Sequence, residues 1–113
     1  EFCLGTLAEM TEGDLYETCD HHSRQGDIAY IHFRNVRGKA PHYVETFVDE
    51  GDIEMRRIME ILRKNNYDGV LIPDHTPQMA GEAPWHAGMA YAMGYMKALL
   101  DHTASVPNPD RIP

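Results

Sequence analysis

At 113 residues the chain has the size of one small domain, and its 42% hydrophobic and 25% charged residues supply enough apolar material to argue against wholesale disorder. Eighteen acidic against ten basic residues give a formal charge of -8, which removes the basic footprint that a nucleic-acid partner needs. No apolar run nears the roughly 20 residues of a membrane helix, and two cysteines, Cys3 and Cys19, make no disulfide framework. A cytoplasmic protein acting on a metal or a small polar substrate is the expectation.

Phe2-Cys3-Leu4 reads as the end of a strand already in progress, with Gly5-Thr6 as its exit, so a fragment of a longer chain is expected. A helix is predicted from about Gly13 to Arg24, with Leu15 and Cys19 on one face and Gly26 just past its end. Ile28 to Phe33 carries the β-branched and aromatic residues of a buried strand. The segment from Val36 to Gly51, with Gly38, Pro41 and His42, is long for an idle connection and reads as a functional loop.

Asp52 suits an N-cap for the next helix, in which Ile53, Ile58, Ile61 and Leu62 recur at helical spacing. Asn65-Asn66 and Asp68-Gly69 end it and launch a third strand, Val70 to Ile72. A last helix is predicted over about Trp85 to His102, its small residues Ala87, Ala90, Gly94 and Ala98 allowing close approach to a sheet. The tail from Thr103, with Pro107, Pro109 and Pro113, reads as irregular. Strand and helix therefore alternate about three times, the pattern of an α/β fold with a parallel sheet.

The chemistry-bearing residues gather at strand ends. Cys3, His32 and Asp74 each fall at or near the C-terminal end of a predicted strand, where right-handed crossovers can bring them to one side of the sheet. A thiolate, an imidazole and a carboxylate suit a divalent transition metal. The plainer alternative makes Cys3 a small buried apolar residue and His32 a satisfied strand histidine. Asp74-His75 divides naturally into a ligand or base and a proton carrier, or else Asp74 caps a turn. Adjacent residues of an extended segment point opposite ways, so only one of the two is expected to reach His32.

Arg34 offers a bidentate fork for a substrate carboxylate, or else an ion pair with a protein carboxylate, and Asn35 adds an amide beside it. His21-His22 with Glu12, Asp14, Glu17 and Asp20 read as a solvated helix face. His42, Tyr43 and Glu45 are open candidates in the long loop, and Met89, Met93 and Met96 read as packing.

Phe2-Cys3-Leu4-Gly5-Thr6, His32 to Gly38, Glu45 to Asp52, Pro73-Asp74-His75, Met79 to Glu82 and Gly94-Tyr95-Met96 together resemble the mannonate dehydratases in order and spacing, over almost all the chain to about His102. The resemblance implies the C-terminal part of a (β/α)8 TIM barrel, spanning residues 1–103, with 104–113 as a tail. It implies dehydration of D-mannonate to 2-keto-3-deoxygluconate with Mn2+ or another divalent ion such as Fe2+ or Co2+. Cys3, His32 and Asp74 stand at three of the family's four metal-ligand positions, the remaining histidine being expected before residue 1. Asp74 or His75 is then the acid/base group, and Arg34 helps to position the sugar acid. Where many members carry a Gly-Tyr pair before the last helix, this chain reads Ala83-Pro84-Trp85-His86-Ala87-Gly88, so that His86 or Tyr91 takes that place or the role is missing.

Two other readings stand beside this one: a metal-dependent TIM-barrel sugar isomerase or epimerase using the same ligands, and an inactive fragment or assembly module. Three units cannot close an eight-stranded barrel, so association is expected, as a homo-oligomer or with the missing part of the barrel.

Overall fold

Apolar runs that end in polar residues become the strands of this mixed α/β molecule. A computed structural model of the chain describes residues 1–105, and the prolines at 107, 109 and 113 that suggested an irregular tail lie outside them. Strands β1 (Phe2–Cys3), β2 (Tyr30–His32) and β5 (Val70–Ile72) form a parallel sheet in the order β1-β2-β5. Cys3 pairs in register with His32, and His32 with Ile72. Strand β2 is shorter than the expected 28–33 span, although the Phe33 N–H still donates to Ile72 O at 2.6 Å.

Three helices begin elsewhere than expected. Helix α1 (Leu4–Ala8) occupies the place of a plain exit from β1, because Leu4 and Ala8 on one face enter the core. Helix α2 (Leu15–Gln25) starts after Asp14, whose carboxylate accepts from the Tyr16 and Glu17 N–H groups, and it ends on Gly26 at φ 74°. Helix α3 (Met55–Lys64) does not use Asp52 as its cap; Glu54 stands there without a side-chain cap. Asp52 instead accepts from Gly38 N–H at 2.8 Å. Met55, Ile58, Met59 and Leu62 face the core from α3, where they join Phe2, Leu4, Cys19, Ile31 and Phe33.

Between β2 and α3 lies an antiparallel hairpin, β3 (Val36–Lys39) and β4 (His42–Glu45), in the segment read as a loop. Gly38 at φ 93° permits the close approach of His42 O, which any side chain there would meet. The hairpin is tied back to α1 by Ala40 N–H donating to Glu9 O and by Lys39 Nζ donating to Ala8 O.

Helix α4 (Pro84–Ser105) runs beyond the expected His102. Its core face is Gly88, Ala92, Met96, Leu99 and Thr103, whereas Ala87, Ala90, Gly94 and Ala98 are exposed. Of the methionines read as packing, Met96 is buried while Met93 is 55% exposed. Trp85, Tyr91, Met93 and Leu100 stay open to solvent, as do Val70 and Ile72 of the edge strand β5. No helix among the described residues is long and apolar enough to cross a membrane.

Candidate metal centre

Register places the first two ligand candidates side by side. Because Cys3 and His32 are partners across adjacent parallel strands, their side chains leave the sheet on one face about 5 Å apart at the backbone. Asp74 joins them two residues beyond the register partner of His32. It holds φ at 62°, a left-handed conformation that Asp tolerates better than most residues, so the segment after Pro73 turns instead of continuing extended. The turn brings Asp74 Oδ2 to 3.4 Å from His32 Nδ1.

One donor atom from each of Cys3, His32 and Asp74 falls within 4.8 Å of the others, and all three side chains are half-buried. Two ligands bound at about 2.0–2.3 Å from one ion stand at most about 4.6 Å apart. The donors therefore need little movement to share an ion, and their sulfur, nitrogen and oxygen chemistry fits a divalent transition metal. His32 Nδ1 also lies 2.8 Å from Glu1 Oε1.

Of the Asp74-His75 pair, Asp74 is the one whose donor atom meets those of Cys3 and His32, while His75 stands beside it. Its Nδ1 is 3.3 Å from Glu45 Oε1 and its Nε2 is 3.8 Å from Asp74 Oδ1.

Arg34 lies beneath these groups and is only 6% exposed. Nη1 donates to Glu45 Oε1 at 2.7 Å and Nη2 to Thr6 Oγ1 at 3.3 Å. Glu9 Oε2 stands 3.8 Å from Nη2, and Asp74 Oδ2 stands 3.5 Å from Nε. The fork expected to grip a substrate carboxylate is therefore engaged by protein carboxylates, and the ion-pair alternative holds. Burial works against its charge, but the adjoining Cys3 and Glu45 side chains together outweigh it and hold the guanidinium above the ordinary arginine pKa.

Asn35 departs from expectation in a different way. It is 1% exposed, its amide nitrogen donates to Val48 O and Ile53 O, and its oxygen accepts from the Val36 and Ile53 N–H groups. No polar atom is left for a ligand, so Asn35 braces the chain that leaves β2. His86 is exposed on the first turn of α4 and is not one of the converging donors. Tyr91 donates to Asp49, whose hydrogen bond raises the phenol pKa.

Glu45 was only an open candidate in the sequence, and it proves to be the link between Arg34 and His75. The signal that could have found it is the Gly38-Lys39-Ala40-Pro41 turn between two short β-prone runs, which marks a hairpin returning to the strand end. Asp20, read as part of a solvated face, pairs with Lys64 at 2.6 Å and joins α2 to α3. His42 and Tyr43 remain exposed on the hairpin.

The family model described as D-mannonate dehydratase (UxuA) matches residues 1–106. The mannonate dehydratase of Lactococcus lactis subsp. lactis is 29% identical over 85 residues, which cover 71% of this chain and 24% of the relative. That of Enterococcus faecalis is 29% identical over 114 residues, 95% of this chain and 31% of its own. The crystal structure of mannonate dehydratase from Streptococcus suis serotype 2 superposes with a TM-score of 0.76 at 26% identity, covering 89% of this chain and 31% of that one. This chain thus spans about a quarter to a third of the length of the relatives it matches.

Proposed function

The chain belongs to the D-mannonate dehydratase family, and on that premise we propose that its converging strand ends form part of a metal-dependent hydro-lyase site that converts D-mannonate to 2-keto-3-deoxygluconate. The observation that carries the reading is the meeting of Cys3, His32 and Asp74 donors within 4.8 Å, from three parallel strand ends. The strand-helix units are then the C-terminal part of a (β/α)8 barrel, which collects ligands on that face. A cytoplasmic location accompanies this reading.

Cys3, His32 and Asp74 would hold Mn2+, or Fe2+ or Co2+. When bound, such a cation offsets the negative charge that grows on the substrate carboxylate as C2 loses its proton. The reaction breaks the C2–H bond, expels the C3 hydroxyl as water once it is protonated, and leaves an enol that becomes the 2-keto acid. His75 is the group for the proton, because Asp74 is already turned toward His32 and Arg34. Arg34 serves from below, fixing Asp74 and Glu45 instead of touching the sugar acid. His86 and Tyr91 remain the candidates on α4 for substrate contact, in the place of the family's tyrosine.

The partner is the rest of a barrel. Among the described residues each outer strand of the sheet has one neighbour, and an open cleft of about 610 Å3 lies beside β1, lined by Phe2, Cys3, Leu7 and Ile28 among others. With the exposed apolar residues of β5 and α4, these edges favour association over a free monomer. The chain alone is expected to be inactive. Inserted in place of the corresponding segment of the Streptococcus suis relative, with Mn2+, it should release a 2-keto-3-deoxy acid from D-mannonate. A folded chimera that forms no such product, or that interconverts sugars without loss of water, overturns the reading.

A further inference from the structure

We propose that Glu45 is a positioning residue for this reaction, holding the His75 imidazole through Nδ1 so that Nε2 is left for the substrate's proton. The inference rests on the dehydratase reading, in which His75 moves that proton. Glu45 closes the hairpin strand β4, and its Oε1 lies 2.7 Å from Arg34 Nη1 and 3.3 Å from His75 Nδ1. Arg34 is a fixed anchor: it is 6% exposed, donates to Thr6 and packs against Gly5. His75 has no such enclosure, its side chain being 55% exposed on the loop after β5.

A histidine on an open loop samples several rotamers and both neutral tautomers. A carboxylate held from inside the fold selects one of each, because an acceptor at Nδ1 favours the Nδ1–H form and leaves the lone pair on Nε2. Among the described residues the other side of the ring has no competing bond, since the 3.8 Å from Nε2 to Asp74 Oδ1 is beyond hydrogen-bond reach. A carboxylate whose one oxygen is shared between a buried anchor and a loop histidine is placed to orient His75.

The test is long-range 1H–15N correlation NMR of the 15N-labelled full chain without metal, at a pH where His75 is neutral. The Nδ1–H tautomer should predominate at His75. Glu45→Gln, whose amide can donate to Nδ1, should lose that signal in favour of Nε2–H, and Glu45→Asp should partly restore it. Predominance of Nε2–H in the unaltered chain, or an unchanged tautomer in folded Glu45→Gln, overturns the proposal. If Glu45→Gln does not fold, the tautomer of the unaltered chain decides. The readout needs neither metal nor substrate, so it separates from turnover: an active chimera with Nε2–H at His75 refutes only the Glu45 role. An intact Nδ1–H signal without keto-deoxy product refutes the dehydratase reading itself.

Discussion

The bare Cα of Gly5 packs against the guanidinium of Arg34, so closely that a Cβ there would stand 2.5 Å from Arg34 Cζ. Leu4 and Ala8 fix α1 in the core on either side, and Glu45, Thr6 and Asp74 fix the guanidinium, so neither partner has room to retreat. Gly5→Ala should therefore lower stability by about 1–3 kcal/mol through overpacking and weaken divalent-ion binding by displacing Arg34 from Asp74. Gly94→Ala, at a helical position with open space around its Cβ, should instead raise stability by about 0.5–1 kcal/mol. Urea denaturation of the two variants checks the opposite signs.

Asn35 makes a second, separable prediction. Its side chain satisfies two backbone N–H groups and two carbonyls in the core, and Asn35→Ala strands all four. A loss on the order of 3 kcal/mol is expected, since each buried polar group left without a partner costs about 1–3 kcal/mol before relaxation or water entry offsets part of it. Because no atom of Asn35 faces the site, its effect on metal affinity should follow the unfolded fraction alone. A drop in affinity for the folded fraction would return Asn35 to the ligand-contacting set.

The two cysteines should behave as different chemical species. Cys19 is fully buried, and burial, with a smaller contribution from Asp20, pushes its thiol up to about 12. Cys3 is only half-buried and lies among charged groups. Alkylation of the folded chain at neutral pH should label Cys3 and spare Cys19, and bound Mn2+ should slow the labelling of Cys3. Mass spectrometry after a timed iodoacetamide pulse reads both.

The same shift fixes a pH trend. Raised in the fold above its unfolded value, the Cys19 thiol contributes its full stabilisation below about 9 and loses it progressively as pH rises toward about 12. Cys19→Ala should flatten that alkaline decline in denaturation midpoints under reducing conditions.

The strands were legible because short apolar runs end at Cys3, His32 and, after Pro73, Asp74, and crossover handedness then brings those ends together. The hairpin was not, because its strands are short and largely exposed, and what holds them are Asp52 to Gly38 and Ala40 to Glu9, bonds between residues distant in sequence. The same limit hid the work of Asn35, whose partners lie 13 and 18 residues away as well as next to it. Arg34 was visible as a cation beside the site, but its partners depend on a glycine in α1 and a glutamate in β4 that no local pattern connects to it. The small-residue spacing of α4 misled because Gly88, Ala92 and Met96, not Ala87, Ala90 and Gly94, turn inward.

Cobalt titration tests the shared metal site most directly, because a thiolate-to-cobalt charge-transfer absorption reports sulfur ligation without any need for turnover. Added Co2+ should produce that absorption in the reduced full chain, saturating at one ion per chain, with the band absent in Cys3→Ser and weakened in His32→Ala and Asp74→Asn. Binding without a thiolate band, or a band that survives Cys3→Ser, would contradict a centre built from Cys3, His32 and Asp74.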